Sequence, residues 1–412
     1  MPVRNHLTLR RMLAAAACLC AVVSAHAMDS GELLRRADAL TPSYLKTVEE
    51  MVAIDSPTHF MPGIEKMTQV IARRMTELGG ETRIVPASVD QGNNLIGTWR
   101  GTGKGDILLL AHMDTVHKEG SAAEWPFRSD GKRAFGPGVL DDKGGIALGL
   151  ASIDLLRRTG FTEFGRITFL VNSDEERGSF GSRDLIGHLA REHDVAFVLE
   201  FGSPADKVTS WRKGIAYFKL EVTGKAAHAG AEPEKGCNAL AEAAHQVLQL
   251  GKLGDPAKET TINFTVIKAG DRPNIIPDKA FAQADVRILH PRELARLEAD
   301  YKRLAEKKLF ACTKVAAIVE HGRPPFPPSP GTDALVKKAQ GFYREIGIEL
   351  GVEGSGGATD GNYSAAAGTV TLDALGPVGG GAHTRDEYID IDRIGPRIYL
   401  LARLIMDAAT AR

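Results

Sequence analysis

Cysteine and an excess of charge of either sign are both scarce in this sequence. Its 412 residues include 4 cysteines, and its 51 basic residues nearly cancel its 52 acidic residues. The low cysteine content excludes a small disulfide-built scaffold, and the charge balance argues against nucleic acid or an anionic membrane surface as a partner. The remaining composition, 43% hydrophobic and 25% charged, is that of an ordinary globular protein. Its length allows two domains.

Long apolar runs are missing as well, apart from one near the N-terminus. Residues 1–27 begin with a basic segment that contains Arg4, Arg10 and Arg11, continue with an apolar stretch at 12–23 and end with Ala25-His26-Ala27. The stretch is too short to span a membrane, and the three-part pattern is typical of a secretory signal peptide. We therefore expect the signal to be cleaved and the protein to be periplasmic or secreted, with no membrane partner.

Two cysteines, Cys237 and Cys312, remain after removal of that signal. A chain that can build a large core does not need a disulfide in order to fold. We therefore interpret both cysteines as unpaired residues of the core or the surface.

Three apolar stretches have the character of strands that helices cover on both faces. They lie at 107–111, 167–171 and 196–199 and are almost continuously hydrophobic. Polar groups follow each stretch where it ends, and in open α/β sheets this edge is where ligands bind. The polar groups are His112 and Asp114 after the first stretch, Glu175 and Glu176 after the second, and Glu200 after the third.

The second stretch leads into three consecutive acids, Asp174, Glu175 and Glu176. Carboxylates gathered at the mouth of a buried strand lose hydration and repel one another, so a cation is expected among them. A solvated acidic loop is the alternative that this segment alone leaves open. The other candidate ligands favour the cation.

The order of the elements indicates an α/β protein whose mostly parallel sheet is flanked by helices and interrupted by a second domain. From residue 213 the order becomes strand, helix, strand, strand, helix, strand, as in a ferredoxin-like α+β unit. A proline-rich segment at 323–330 then returns as an extended linker. We predict a catalytic domain formed by residues 28–212 and 323–412, and an inserted dimerisation or lid domain formed by residues 213–322. The glycine-rich stretch 351–361 is expected to be a loop.

Two histidines and three carboxylates at strand ends or in glycine-rich loops suit a metal site. Imidazole and carboxylate ligands without thiolate favour Zn²⁺. Five ligands exceed the needs of one tetrahedral ion with an open position, but with one bridging carboxylate they can hold two ions about 3.5–4 Å apart. A carboxylate that is not a ligand must then accept the proton of the metal-bridged water, and Glu175 is the candidate general base. The five predicted ligands are His112, Asp141, Glu176, Glu200 and His383.

Several motifs resemble those of the dinuclear zinc peptidases and deacylases, a family that includes aminoacylase, acetylornithine deacetylase and succinyl-diaminopimelate desuccinylase. The resemblance covers essentially the whole mature chain, and it is strongest to the exported, folate-hydrolysing glutamate carboxypeptidases of bacteria. The motifs are Ala-His-Met-Asp-Thr-Val (111–116), Gly-Pro-Gly-Val-Leu-Asp-Asp-Lys-Gly-Gly (136–145), Asp-Glu-Glu-Arg-Gly-Ser-Phe-Gly-Ser-Arg-Asp (174–184), Gly-Lys-Ala-Ala-His-Ala-Gly (224–230) and Asn-Ile-Ile-Pro (274–277).

The resemblance implies how two zinc ions per chain would be bound. His112 and Glu200 would hold one ion, and Glu176 and His383 the other. Asp141 would bridge the two ions, and the peptide bond that follows it would be cis.

The resemblance also implies roles for residues around the metal ions. Asp114 would orient His112 from the side away from the metal. His228 of the inserted domain would stabilise the tetrahedral oxyanion, often in the active site of the partner subunit. Arginine pairs well with carboxylates, and the residues that the resemblance assigns to substrate binding are Asn274, Arg287, Arg323 and Lys207.

Three polar residues near these motifs receive structural interpretations instead. His117 is interpreted as a surface group, Asp142 is expected to cap the helix that follows it, and Asp360 is interpreted as structural.

These features favour an exported zinc exopeptidase that hydrolyses the amide bond before a C-terminal glutamate, in folates or N-acyl glutamates. Its partners would be a small-molecule or short-peptide substrate and a second copy of the chain, bound through the inserted domain. An N-acyl amino acid deacylase of the aminoacylase or acetylornithine deacetylase type is one alternative. A catalytically inactive periplasmic binding protein on the same fold is the alternative of another class.

Overall fold

A computed structural model describes residues 29–89 and 92–410, so the predicted signal peptide lies outside the described residues. Among those residues, no helix combines the length and apolar character needed to cross a membrane. The helices are α1 (Ser30–Asp38), α2 (Thr41–Val52), α3 (Met61–Glu77), α4 (Ser121–Glu124), α5 (Lys143–Thr159), α6 (Arg183–Arg191), α7 (Ala239–Leu250), α8 (Pro291–Ala305), α9 (Pro330–Glu345), α10 (Gly361–Ala366) and α11 (Ile394–Thr410).

The strands complete the description. They are β1 (Glu81–Pro86), β2 (Asn93–Arg100), β3 (Asp106–His112), β4 (Arg128–Ser129), β5 (Arg133–Phe135), β6 (Arg166–Asn172), β7 (Val195–Val198), β8 (Lys207–Arg212), β9 (Gly214–Thr223), β10 (Ala227–His228), β11 (Thr261–Ala269), β12 (Ile275–Ile276), β13 (Lys279–Ile288), β14 (Lys314–His321), β15 (Gly351–Ser355), β16 (Val370–Leu372), β17 (Gly379–Gly380) and β18 (Tyr388–Asp390).

The central sheet has the strand order β1-β2-β6-β3-β7-β16. Strands β6, β3, β7 and β16 are parallel, while β1 and β2 form an antiparallel edge. Leu109 and Phe169 pack among residues of α5 and α11 on one face, and Leu108 and Leu170 pack against α6 on the other. Burial on both faces explains why these strands are continuously apolar. The structure confirms the predicted α/β class, and the C-terminal ends of β3, β6 and β7 meet at one edge.

The inserted domain has a four-stranded antiparallel sheet with the order β11-β13-β9-β14. In β9 every second side chain is buried, beginning with Ala216, Phe218 and Leu220. The alternation arises because one face of the sheet packs against α7 and α8 while the other does not. The main elements follow the predicted order, and their core is separate from the core of the central sheet.

The stretch 351–361, predicted to be a loop, begins instead with β15, which pairs in parallel with β8. A Cβ atom on Gly354 would lie 1.7 Å from the Trp211 ring, so glycine is required for the indole to pack against this strand. The prediction is wrong because glycine here permits a close approach to the backbone and does not mark a turn.

Cys237 and Cys312 form a disulfide, so the interpretation of both as unpaired is wrong. Their Cα atoms are 6.1 Å apart, within the usual range for a bridge. Cys237 pairs through its backbone with Lys225, just beyond the end of β9, and Cys312 lies just before β14, the neighbour of β9. Strand pairing thus brings together two cysteines separated by 75 residues, a proximity that cysteine content cannot reveal.

Candidate metal centre and active site

The five predicted ligands come together at the C-terminal edge of the central sheet. His112 ends β3, Glu176 lies in a single 3₁₀ turn after β6, and Glu200 follows β7. Asp141 precedes α5, and His383 lies in the loop between β17 and β18. Parallel strands deliver three of the ligands to one edge, and two loops supply the others.

The ligand atoms form two groups that share Asp141. In the first group, Nε2 of His112 lies 3.0 Å from Oδ1 of Asp141 and 3.6 Å from Oε1 of Glu200. In the second, Nε2 of His383 lies 3.1 Å from Oδ2 of Asp141 and 3.6 Å from Oε2 of Glu176. The two carboxylate oxygens of Asp141 therefore face different groups.

These separations fit tetrahedral zinc sites. Nitrogen and oxygen ligands about 2.0–2.2 Å from a zinc ion, at tetrahedral angles, stand roughly 3.3–3.6 Å from one another. The two histidine–glutamate contacts, at 3.6 Å, lie in this range, and the two histidine contacts with Asp141, at 3.0 and 3.1 Å, are slightly shorter. Oε1 of Glu176 is also buried without a hydrogen-bond partner, which leaves it free to serve a cation. Donor types and spacing both fit zinc.

The electrostatics of the cluster also favour bound cations. Burial, together with the charge of Asp141, raises the pKa of Glu176 to about 10. Burial likewise raises the pKa of the Glu200 carboxyl. Left alone, these carboxylates would bind protons, whereas nearby cations would keep them ionised.

Asp114 contacts two of the predicted ligands, His112 and Glu176, and helps to hold them in position. Nδ1 of His112 lies 3.0 Å from the carbonyl oxygen of Asp114 and 3.4 Å from its carboxylate. The same carboxylate accepts hydrogen bonds from the backbone N–H groups of Glu175 and Glu176, each at 3.2 Å, and from the Thr58 hydroxyl at 2.7 Å. Because Nδ1 faces acceptors, the proton of His112 belongs there and Nε2 is available for a metal.

Asp142 behaves differently from its predicted role. The peptide bond between Asp141 and Asp142 is cis, as the resemblance implies. Asp142 occupies the N-cap position of α5, but its side chain makes no capping hydrogen bond. Its Oδ2 instead accepts from the backbone N–H of His112 at 3.3 Å. The capping prediction is wrong because the carboxylate turns towards the ligand-bearing strand.

Glu387 is a residue that the sequence analysis missed. Its carboxylate, 1% exposed, accepts hydrogen bonds from the backbone N–H groups of Gly138, Leu140 and Asp141 at 2.8–2.9 Å. Its Oε2 also lies 2.7 Å from Nε2 of His117. Glu387 therefore ties the Asp141 loop to the loop that carries His383. The His117 side chain is 9% exposed in this contact, so its interpretation as a surface group is wrong. An acid four residues after a ligand histidine was the available signal, but a weak one.

Arg323 contacts the candidate general base. Its Nη2 lies 2.7 Å from Oε1 of Glu175, 2.6 Å from the Glu175 carbonyl oxygen and 3.0 Å from the Ser179 hydroxyl. Burial raises the pKa of the Glu175 carboxyl, and the charge of Arg323 acts against that rise. The resemblance assigned Arg323 to substrate binding, but in the structure its side chain is 8% exposed and already paired.

Asp360 forms part of the same buried network. It accepts a hydrogen bond from Asn172 at 2.6 Å and another from the Ser179 hydroxyl, and it lies 3.7 Å from Nη2 of Arg323. These contacts agree with its structural interpretation.

His228 is exposed on β10 of the inserted domain. Its Nδ1 accepts hydrogen bonds from the backbone N–H groups of Gly230 and Ala231, at 3.2 and 3.0 Å. An accepting Nδ1 leaves the proton on Nε2, which is thus a hydrogen-bond donor. The carbonyl oxygen of Asn274 accepts from Ala229 N, so Asn274 lies beside the His228 loop.

Arg287 and Lys207 are not brought into the ligand cluster. Arg287 pairs with Asp285 and donates to the carbonyl oxygen of Gly356 at 3.1 Å. Lys207, the first residue of β8, forms an ion pair with Glu353 at 3.0 Å. Their roles in substrate binding stay predictions.

The sequence of this chain is similar to those of known peptidases and deacylases. The family described as "Peptidase family M20/M25/M40" matches residues 108–407. Carboxypeptidase G2 from Pseudomonas sp. (strain RS-16) is 41% identical over 375 residues, covering 90% of both chains. An acetylornithine deacetylase from Pasteurella multocida is 31% identical over 272 residues, covering 60% of this chain and 68% of that protein.

Solved structures agree with the fold. The aminopeptidase PepT from Bacillus cereus superposes with a TM-score of 0.76 at 25% identity, covering 90% of this chain and 99% of that one. The metallo-carboxypeptidase Sso-CP2 from Sulfolobus solfataricus gives a TM-score of 0.71 at 17% identity, covering 89% of this chain and 99% of that one.

Proposed function

Because the chain belongs to the peptidase family M20/M25/M40 and is a metallocarboxypeptidase, we propose that it hydrolyses the amide bond before a C-terminal glutamate. Folates and small N-acyl glutamates are the proposed substrates. The observation that carries the proposal is the pair of ligand groups sharing Asp141, with the buried Glu175 beside them. The proposed preference for glutamate is based on the motifs that the sequence shares with glutamate carboxypeptidases.

We propose two Zn²⁺ ions as the cofactor, held by His112, Glu200, Asp141, Glu176 and His383. When bound, such a pair of ions makes hydroxide available near neutral pH and polarises the scissile carbonyl. The chain itself supplies the alignment of these ligands and the transfer of protons.

Glu175 is proposed to move the proton. Its carboxylate takes a proton from the attacking water and passes it to the leaving amine. Nε2–H of His228 would donate a hydrogen bond to the oxyanion, and Arg287 and Asn274 would receive the substrate carboxylate.

A homodimer through the inserted domain is part of the proposal. On α7 the Leu248 side chain is 72% exposed and that of Leu240 is 40% exposed; on the adjacent edge strand β11, Ile267 is 50% exposed. Apolar side chains next to an open strand edge suit a second copy of this chain. Light scattering should show a dimer that Leu248→Glu dissociates, whereas Ile84→Glu, at an exposed site on the catalytic domain, should leave it intact. A monomeric wild-type protein would contradict the proposal.

Export to the periplasm or the medium is proposed from residues 1–27. The measurement is the N-terminal sequence of the protein from cell fractions. A mature chain that begins near Met28 outside the cytoplasm supports export, and an intact N-terminus in the cytoplasm contradicts it.

The central experiment is hydrolysis of a substrate panel by the zinc-loaded protein. Methotrexate and N-acyl glutamates should be cleaved, and Glu175→Gln should abolish turnover while metal content stays near two ions per chain. A binding protein without catalysis would cleave nothing, but family membership and the intact ligand set argue against that alternative. Turnover of acetylornithine or neutral N-acyl amino acids, without turnover of glutamates, would favour the deacylase alternative.

A further inference from the structure

Arg323 lies at the junction between the inserted domain and the catalytic domain. It follows β14 closely, and its carbonyl oxygen accepts a hydrogen bond from Ile215 N at 2.8 Å, at the start of β9. The carbonyl oxygen of Pro324, the next residue, accepts from Asn362 Nδ2 at 2.7 Å. The backbone that carries the guanidinium is therefore fixed by both domains.

The guanidinium engages Glu175 at two places. One nitrogen, Nη2, contacts both the carbonyl oxygen and Oε1 of Glu175. The bond to Oε1 restricts rotation of the carboxylate, and the bond to the carbonyl oxygen fixes the turn from which the side chain extends. Oε2 has no bond to Arg323, so it is the oxygen available to a water molecule.

A second layer of contacts holds the guanidinium itself. The Ser179 hydroxyl lies 3.0 Å from Nη2 and also bonds to Asp360, whose carboxylate lies 3.7 Å from Nη2. Nε of Arg323 is buried and has no hydrogen-bond partner, so the guanidinium makes its contacts with Glu175 and Ser179 through Nη2.

We propose that Arg323 is a positioning residue that holds the Glu175 carboxylate in place for proton transfer. The inference rests on the proposed function, in which Glu175 is the general base. Misplacing a catalytic group by about 1 Å can lower the rate about 100-fold. The effect of Arg323 should therefore appear in kcat.

The test is steady-state kinetics of Arg323→Lys, which keeps the charge and loses the planar fork. We expect kcat to fall about 100-fold, as for a misplaced catalytic group, with KM changed less than about threefold and zinc content unchanged. Arg287→Lys serves as the matched control, because an arginine that receives the substrate carboxylate should raise KM when shortened. A raised KM with unchanged kcat in Arg323→Lys would overturn the proposal.

A second variant guards against a protein that does not fold without Arg323. Ser179→Ala removes one contact of the guanidinium and keeps its charge and its bond to Glu175. We expect kcat to fall several-fold, in proportion to the loosened contact, with unchanged KM. If Arg323→Lys does not fold and Ser179→Ala keeps the wild-type kcat, the proposal fails.

Failure of this proposal can be distinguished from failure of the proposed function. The wild-type protein is first assayed on the substrate panel, and the variants are then measured on whichever substrate it cleaves best. Wild-type turnover of neutral N-acyl amino acids alone would reject the preference for glutamate and leave the Arg323 measurement intact. A KM effect in Arg323→Lys on a cleaved glutamate substrate would reject the positioning role alone.

Discussion

Strand β6 of the catalytic domain buries six residues in succession, whereas β9 of the inserted domain buries every second one. Helices cover both faces of the first sheet but only one face of the second. A strand covered on both faces keeps its side chains from solvent until it ends. In this protein polar chemistry consequently concentrates at strand ends in the catalytic domain.

The two regions also differ in what holds them together. The catalytic domain has the larger core and gathers charged ligands that cations would stabilise. The inserted domain has a smaller core and a disulfide. Stability in the two regions should therefore respond to different treatments, and four experiments test this difference.

Removal of metal should have the largest effect, and only on the catalytic domain. Chelation should abolish activity and expose β3 and β6 to hydrogen exchange, because the repulsion among Asp141, Glu176 and Glu200 is no longer offset. A ligand at 100 times its Kd stabilises a fold by about 2.7 kcal/mol. Exchange in β9 and β13 should not change, and Zn²⁺ should reverse the effect. Equal loss of protection in both sheets would contradict the comparison.

Removal of the disulfide should destabilise the inserted domain. Replacing Cys237 and Cys312 together by serine should lower its free energy of unfolding by about 2–4 kcal/mol, since the bridge restricts the unfolded chain. Exchange in β9 and β14 measures the loss, and zinc content reports on the catalytic domain. Treating the wild type with a thiol reductant should reproduce the result. A fall in zinc content with unchanged exchange in β9 and β14 would show that the disulfide stabilises the catalytic domain and not the inserted domain.

A smaller effect is expected from Glu387→Gln. The amide keeps the size of the side chain but replaces an acceptor oxygen with a donor, opposite three backbone N–H groups. We expect zinc affinity to fall about 10- to 100-fold, as for other residues that orient metal ligands. The exposed neighbour Asp386 provides the control, because Asp386→Asn should leave zinc affinity unchanged. Equal effects of the two variants would contradict the role of Glu387.

The smallest expected effect is on the dependence of stability on pH. Burial lowers the pKa of His193, in the catalytic domain, from 6.5. As pH falls through 6.5 the unfolded chain takes up a proton that the folded domain refuses, so stability falls until the lower folded pKa is passed. His193→Gln should flatten this slope in a series of thermal unfolding curves.

Glu242 makes the matching case in the inserted domain. Burial acts to raise its pKa, but hydrogen bonds, led by those from Phe310 N and Gln246, outweigh burial and hold the pKa below 4.5. The stability that Glu242 contributes to this domain should therefore be lost as pH falls below 4.5. Glu242→Gln should remove that slope. Unfolding of the inserted domain already near pH 6 would contradict this difference between the two domains.

Much of the fold and of the ligand set could be predicted from the sequence because the signals are local. A continuous apolar run indicates a strand buried on both faces, and His112 and Glu200 follow such runs directly. Asp141 and His383 lie in loops without hydrophobic periodicity, and the glycines around them marked them as candidate ligands.

Other contacts between distant segments could not be predicted. Arg323 and Glu175 are separated by 148 residues, and nothing in either segment indicates that they meet. The disulfide and the pairing of β15 with β8 depend on the same kind of proximity, which arises from topology and not from local pattern.

The polypeptide enters and leaves the inserted domain side by side. Ile215 N donates to the carbonyl oxygen of Arg323, and Gly322 N donates to that of Ile215. These two hydrogen bonds join the crossings into one short ribbon. A hinge rotation of the inserted domain about these two crossings would pivot close to Arg323 and its contact with Glu175.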